Sequence, residues 1–304
     1  MKVAMANPHI FTVILNTNRR DDTLACLEAL HQGDYQPHTI MVLDNGSHDG
    51  SVEAIAAAYP QVQIIQLKEN RGYAGNNNVG IATAIEQGAD WVYVLNEDTT
   101  QAPDCLSQMI AVAEADPQIG IIGPMVYHAD EPTAIQSAGG WLDAHWQAGH
   151  LGQNEPDVGQ FPQPHLVDWI SGCAILVRRA VIEQLGMLDD HFFYYWEETE
   201  WCVRAGQAGW RIVHVPQAKL WHKGVQINYQ PGPNIAYYNT RNYLLLLHKH
   251  RAPFIVRGRA WYRIIRTYMS MSLKPERKTN GEARRAMVQG MRDFWRGRVG
   301  KRAD

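Results

Sequence analysis

From Phe11 onward, short apolar runs alternate with stretches of amphipathic spacing. Phe11 to Leu15, Thr39 to Leu43, Val62 to Leu67 and Trp91 to Leu95 are rich in β-branched and aromatic residues, which suit the pleated surface of a strand. Between them, Asp22 to His31, Ser51 to Tyr59 and Gly75 to Glu86 show helical spacing behind polar starts. Strand and helix taking turns predict an α/β fold built on a mostly parallel, doubly wound sheet flanked by helices. After Pro103 the rhythm changes. Ile119 to Val126 and Val167 to Val177 read as strands, the Gly- and Pro-rich stretch Gly139 to Pro164 as long loops, and a charged helix begins near Trp196. From Asn234 the chain reads as helical to its end, apart from a break at Lys274 to Gly281.

In a doubly wound sheet the ligand crevice lies beyond the carboxyl ends of the strands. Four segments hold that place here: Asn16-Thr17-Asn18-Arg19, Asp44-Asn45-Gly46-Ser47, Glu69-Asn70-Arg71-Gly72 and Asn96-Glu97-Asp98-Thr99. Each is polar and follows an apolar run directly. A carboxylate in Asn96-Glu97-Asp98 can hold Mn²⁺ or Mg²⁺, which take oxygen ligands and bridge the phosphates of a nucleotide. The competing reading makes Asp98 the cap of a helix entered at Thr99 to Pro103. Asp44 can accept the imide N–H of uracil or thymine, although Asn-Gly and Asp-Gly also make plain turns. The run from Asn70 to Asn78 is poor material for a helix or strand interior. Gly72 and Gly75 permit close approach to a ligand, Arg71 can meet base or phosphate, and Asn76 lies where a helix offers its N-terminus to an anion.

Composition narrows the class. A chain of 304 residues, 45% hydrophobic, buries a large core without disulfides. Cys26, Cys105, Cys173 and Cys202 lie far apart, which argues against a zinc site or disulfide framework and for a reducing cytoplasm. Met1 to His9 lack the pattern of a signal peptide, and no apolar run is long enough to span a bilayer. Net charge is −3, but from Arg241 onward there are 17 Lys and Arg against 4 Asp and Glu. Phe254, Trp261, Ile265, Met269 and Trp295 lie among those cations, a pattern suited to peripheral contact with an anionic membrane at the inner face of the cell. A helical homodimer face is the bland alternative, and nucleic acid is not expected.

The ordered set V-I-L-N-T-N-R, V-L-D-N-G-S-H-D-G-S, N-R-G-Y-A-G-N-N-N-V-G, L-N-E-D and W-I-S-G-C-A-I-L-V-R-R resembles family 2 glycosyltransferases of the GT-A fold, especially their rhamnosyltransferase-like branch. The resemblance runs from about Phe11 to His250. It implies a GT-A domain over 1–250, with a nucleotide-binding part over 9–103 and an acceptor part over 104–250, followed by a basic helical tail over 251–304. It further implies an inverting, metal-dependent transferase of cell-surface polysaccharide synthesis. Such an enzyme moves a sugar, rhamnose by family flavour, from a dTDP- or UDP-sugar to a hydroxyl of a saccharide or lipid-linked acceptor.

By the same resemblance Thr17, Asn18, Arg19, Asp44, Asn45, Arg71, Gly72, Asn76, Asn96 and Glu97 serve the donor, with Thr17 and Asp44 at the base. Asp98 is the usual metal ligand and His222 completes the metal site. Glu97 departs from the neutral or aspartyl residue common at its position. Trp196-Glu197-Glu198-Thr199-Glu200-Trp201-Cys202-Val203-Arg204 resembles the family's E-D-x-D-x-C-x-R segment and makes Glu198 the base, with Glu197, Trp169, Ser171 and Gly172 on the acceptor side. Like charges at Glu197 and Glu200 can raise the proton affinity of Glu198. Glu200 itself reads as paired with Arg204 at i,i+4. The alternatives are a sugar nucleotidyltransferase, which lacks its glycine-rich phosphate loop here, and a non-catalytic relative. A processive synthase is disfavoured because the chain has neither spans nor a Q-x-x-R-W segment.

Overall fold

In the computed structural model, which describes residues 7–224, 232–273 and 281–303, the apolar runs become β1 (Ile10–Asn16), β2 (His38–Asp44), β3 (Gln63–Gln66) and β4 (Trp91–Asn96). They pair in parallel in the order β4-β1-β2-β3. The helices between them are α1 (Arg20–His31), α2 (Ser51–Ala58) and α3 (Gly72–Glu86). Side chains alternate between the two faces of a strand. Trp91, Tyr93 and Leu95 therefore pack with α1 and α2, while Val92 and Val94 pack with α3. Both faces are covered, which is why these strands are apolar throughout rather than alternating.

Beyond β4 come β5 (Thr99–Gln101), α4 (Cys105–Ala115), β6 (Ile119–His128), β7 (Ile135–Ser137), a hairpin of β8 (Gly140–Leu142) and β9 (Ala148–His150), β10 (His165–Leu166) and β11 (Ala174–Arg178). Then follow α5 (Arg179–Leu185), α6 (Glu197–Gln207) and β12 (Arg211–His222). β11 runs antiparallel between β4 and β6, and β12 lies parallel to β6, which extends the sheet on the β4 side. Three helices close the described chain: α7 (Pro233–Lys249), α8 (Phe254–Leu273) and α9 (Gly281–Trp295). They share a separate apolar cluster that includes Leu244, Leu247, Val256, Ile264 and Met287.

Several expectations need correction. Thr99 to Pro103 is not a helix: Thr99–Gln101 pairs with Leu220–His222, and α4 starts only at Cys105, so Asp98 caps nothing. Val167 to Val177 is not one strand. The chain turns at Ser171, whose carbonyl accepts the N–H of Ala174, and Ile170 is buried in non-repetitive backbone. An apolar run signals burial as readily as it signals a strand. The stretch Gly139 to Pro164 is not loop throughout, since it carries the β8–β9 hairpin. β12 was not foreseen, because Pro216, Gln217 and Lys219 interrupt its apolar pattern at the bulge between Val215 and Lys219. The break at 274–280 and residues 1–6 lie outside the described residues. The four cysteines are free and buried.

Candidate active site

The carboxyl ends of β1, β2 and β4 meet at one edge of the sheet because their registers align Asn16 with Asp44 and Leu15 with Asn96. Asn16, absent from the expected site, is the connecting residue. Its amide nitrogen donates to Asp44 Oδ1 and to Ser47 Oγ, both at 3.0 Å, and its oxygen accepts from Thr23 Oγ1 at 3.0 Å. Asp44 Oδ2 accepts the Ser47 N–H at 3.1 Å, so this buried carboxylate is oriented from two sides. Asn45 Nδ2 donates to Thr17 Oγ1 at 3.2 Å, and Asn18 Oδ1 accepts the His48 N–H at 2.7 Å. Thr17, Asn18 and Arg19 form the exposed rim.

The asparagine-rich segment does more structural work than its sequence indicates. Asn76 is buried and its oxygen accepts the Arg71 N–H at 3.0 Å. Asn78 exchanges two hydrogen bonds with the backbone of Leu188. Arg71 is half-exposed and pairs with Asp190 at 3.5 Å. Gly72 has φ +78°, and any Cβ there would collide with the Phe193 carbonyl and ring. The expected donor loop thus packs directly on the segment that leads to Glu198.

At the end of β4, Asp98 and His222 face each other. The pairing of β5 with β12 puts Thr99 opposite His222, which carries the imidazole to the acid. Gln136 Oε1 lies 2.7 Å from His222 Nδ1 and accepts its proton, since the Gln136 amide nitrogen faces His128. His222 Nε2 is then a bare lone pair. It lies 3.1 Å from Asp98 Oδ1, which is buried without a hydrogen bond. Two such lone pairs about 3 Å apart could both be ligands of one divalent cation, which accepts oxygen and nitrogen donors. A Cβ added at Gly224 would fall 2.8 Å from Asp98 Oδ2 and 2.9 Å from His222 Nε2, so the glycine keeps that space open. These residues fit a divalent metal.

Burial pushes the Asp98 carboxyl up, but when His222 carries a proton on Nε2 as well, its hydrogen bond and charge, and then Arg19, outweigh burial and hold Asp98 below the ordinary carboxylate range; a divalent cation in place of that proton would act in the same direction. Burial, with Asp98 next, pushes Glu97 up to about 7. Asn96 Nδ2 lies 3.4 Å from His222 Nε2. Lys223, not foreseen, places its ammonium 2.7 Å from Asp22 and its N–H 3.0 Å from the Asp98 carbonyl, adding a cation at the rim.

The segment from Trp169 to Cys173 links this strand end to the acidic helix. The Cys173 carbonyl accepts the Asn96 N–H at 2.9 Å. One residue earlier, a Cβ on Gly172 would sit 3.5 Å from Glu198 Cγ, and the Gly172 carbonyl accepts the Tyr73 hydroxyl at 2.5 Å. Ser171 Oγ donates to Cys173 Sγ at 3.3 Å. Trp169 belongs to the core instead: it is 6% exposed and its indole N–H is satisfied by the Trp141 carbonyl.

Three glutamates in the first turn of α6 have three environments. Glu198 is half-buried; desolvation outweighs the N–H donors of the helix start and raises it to about 7. Glu197 is buried, its Oε2 has no hydrogen-bond partner among the described residues, and burial, then Glu198, pushes its carboxyl well above the ordinary range. Glu200 is fully buried, and Arg204 at 2.9 Å, Lys249 at 2.9 Å and His250 at 3.2 Å surround it. Burial would raise Glu200, yet these donors win and hold it at about 2. The expected Glu200–Arg204 pair is present. Ahead of the helix, Phe193, Tyr195 and Trp196 have φ of 63°, 68° and 75°. Each left-handed non-glycine costs on the order of 1–3 kcal/mol, strain that surrounding contacts must offset.

A mostly parallel doubly wound sheet, with an acid and a histidine at the end of its fourth strand and the Gly172 segment linking that strand end to Glu198, is the architecture of the GT-A glycosyltransferases. A family model described as Glycosyl transferase family 2 matches residues 12–186, and the chain belongs to that family. It is similar to the N-acetylglucosaminyl-diphospho-decaprenol L-rhamnosyltransferase of Mycobacterium tuberculosis, 30% identical over 75% of this chain and 81% of the relative. It is also similar to the dTDP-rhamnosyl transferase RfbF of Shigella flexneri, 26% identical over 82% of this chain and 83% of that one. Among solved structures, the mannosyltransferase PcManGT of Pyrobaculum calidifontis, in complex with GDP-Man and Mn²⁺, superposes with TM-score 0.59 at 14% identity, covering 96% of this chain and 88% of that one. The protein is a nucleotide-sugar glycosyltransferase, and the nucleotidyltransferase alternative is disfavoured.

Proposed function

We propose that this chain transfers L-rhamnose, with inversion, from a dTDP-sugar, or a UDP-sugar in second place, to a saccharide hydroxyl on a lipid-linked diphosphate. The facing lone pairs of Asp98 and His222, one segment away from Glu198, carry this reading. Rhamnose and the lipid-linked acceptor follow the two rhamnosyltransferase relatives.

In this mechanism Asp44, with Thr17 and Asn45, holds the pyrimidine at the strand ends. Arg19, Arg71 and Lys223 surround the diphosphate with positive charge. Asp98 and His222 would hold Mn²⁺ or Mg²⁺. When bound, the ion supplies Lewis-acid neutralisation of the departing nucleoside diphosphate. Glu198, whose carboxyl is poised near neutrality, takes the proton of the acceptor hydroxyl as its oxygen attacks the anomeric carbon from the face opposite the diphosphate. The C1–O bond to the diphosphate breaks as the new glycosidic bond forms, so one base and one leaving group suffice. In this reading the unit 1–250 carries the reacting groups, and the unit 251–304 adds the surface that meets the membrane.

Membrane contact is supported by α8. Its buried face is Val256, Ala260 and Ile264, while Ile255, Tyr262 and Met269 recur every seven residues on an exposed face. Arg257 and Arg266 form no ion pair among the described residues, and a cavity of about 600 Å³ beside Trp261, Phe294 and Trp295 has mostly apolar walls. Among the described residues no helix is long and apolar enough to cross a membrane. Such a surface suits peripheral attachment.

Glu198→Gln tests the core of the proposal. Transfer should fall on the order of 10³-fold, the range general-base catalysis covers, while dTDP still raises the melting temperature in the presence of Mn²⁺. Near-normal transfer would remove Glu198 as the base.

A further inference from the structure

The loop that presents Glu198 is held in its left-handed conformation by residues from the far end of the chain. Asn242, fully buried on α7, directs its amide nitrogen at three successive targets, the carbonyls of Phe192, Tyr194 and Tyr195, each at 2.8 Å. Its orientation is set by Arg241, whose Nε donates to Asn242 Oδ1 at 2.8 Å. Arg241 in turn donates to the carbonyls of Phe192 at 2.9 Å and His191 at 3.2 Å. A further nitrogen donates to the Gly300 carbonyl at 2.6 Å, and the Gly300 N–H closes the circle on His191 at 2.8 Å.

Arg241 is 1% exposed and forms no ion pair among the described residues. Its charge meets carbonyl dipoles and the faces of Tyr237 and Tyr238 at 5.2 and 5.1 Å. Burying an unpaired guanidinium is costly unless every donor finds an acceptor. Here one nitrogen, Nη2, donates twice to the backbone of the loop that carries three left-handed non-glycine residues, Nε orients Asn242 toward the same loop, and Nη1 donates to the Tyr237 hydroxyl and to the Gly300 carbonyl of the tail. The tail is fastened to the same place: Arg302 donates its N–H to the Tyr238 hydroxyl and its side chain to Asn234 and Gln289.

We propose that Arg241 and Asn242 are positioning residues for Glu198, which hold residues 191–196, with the Gly300 turn, so that the first turn of α6 presents its carboxylate to the crevice. The inference rests on the reading of Glu198 as the base. It makes the last residues of the tail part of the catalytic architecture.

The test compares Asn242→Leu, Arg241→Lys and deletion of residues 297–304, alone and combined with Glu198→Gln, in the full chain. Asn242→Leu should lower kcat about 10²-fold, the loss expected from displacing a catalytic group by about 1 Å. It should leave the donor KM and the thermal shift by dTDP with Mn²⁺ within about twofold, because positioning acts on the reacting state rather than on donor binding. In the Glu198→Gln background it should add no further loss to the residual rate, since residues acting through one group are not additive. Arg241→Lys, which keeps a charged donor, should retain most of kcat, and the deletion should fall between the two. Should Asn242→Leu not fold, the deletion, alone and in the Glu198→Gln background, carries the same comparison, with Arg241→Lys as its rescue control. Wild-type kcat in Asn242→Leu, or an equal loss on top of Glu198→Gln, overturns the proposal. Near-normal transfer by Glu198→Gln alone overturns the base assignment instead, which separates the two failures.

Discussion

The donor edge and the Glu198 loop are assembled in opposite ways. At the donor edge, chemistry follows from topology: three parallel strands end at the same level, and Asn16, Asp44 and Asn96 arrive as register neighbours with ordinary backbone. The loop before Glu198 has no such scaffold. It runs through three left-handed residues and is held by Arg241, Asn242 and Gly300, 45 or more residues away along the chain. The difference teaches where each half is vulnerable. Substitutions at the strand ends act on groups whose supports stay in place, whereas the acceptor side depends on contacts that fail together.

The largest expected effect is on the donor side. Asp98→Asn replaces a carboxylate oxygen facing the His222 lone pair with an amide that can donate to it, so the metal-free protein should melt no lower than the parent. Metal-dependent transfer should fall on the order of 10³-fold, equivalent to about 4 kcal/mol of transition-state stabilisation. The stabilisation by Mn²⁺ with dTDP should vanish. A retained Mn²⁺ shift in a thermal-denaturation assay would show that Asp98 is not the ligand and would remove the contrast between the two halves.

The same contrast explains what was legible in the sequence. The parallel half was readable because strand, polar end and helix repeat locally, so Asp44 and Asp98 could be placed by counting along the chain. Asn16 was passed over although it lies in the same polar segment, because its role is to orient Asp44, and orientation leaves no pattern of its own. β12 was missed for a local reason, a bulge containing Pro216, although the histidine at its end was noticed. Trp169 was placed on the acceptor side by its position in the W-I-S-G-C segment; the side chain is 6% exposed and its indole N–H donates to the Trp141 carbonyl. Glu198 and Glu200 are two residues apart and chemically identical in sequence. Arg204 one turn on, together with Lys249 and His250 brought in at the end of α7, holds Glu200 at about 2, while burial raises Glu198 to about 7.

Titration sharpens that last difference, with a smaller effect. If Glu198 is the base, it works deprotonated, so kcat/KM should rise with pH, about tenfold per unit on the acid side, and level off above about 7. The stability contributions have opposite signs. Glu198 binds its proton more tightly in the folded chain than at its ordinary 4.5, so its contribution is fully present below pH 4.5 and lost as pH rises through about 7. Glu200, held at about 2, contributes above pH 4.5 and loses that contribution as pH falls toward 2. Glu198→Gln should therefore flatten the decline in melting temperature between pH 5 and 8, and leave the acid-side loss intact. A decline unchanged by the substitution would place Glu198 in an ordinary solvated environment and erase the distinction between the two glutamates.

The smallest expected effect on chemistry comes from the exposed face of α8, which touches neither half of the site. Arg257→Gln with Arg266→Gln removes two cations that form no ion pair among the described residues. At about 1 kcal/mol for each cation near an anionic surface, binding to phosphatidylglycerol-rich vesicles should weaken about 30-fold at low salt. Transfer to a water-soluble acceptor should be unchanged, because neither arginine lies among the groups around Asp98 or Glu198. Transfer to an acceptor embedded in the vesicles should fall severalfold and recover at high protein concentration. Unchanged vesicle binding, together with a shift from dimer to monomer in sedimentation, would instead assign Ile255, Tyr262 and Met269 to contact between two copies of the chain. The membrane would then be reached, if at all, through the acceptor alone.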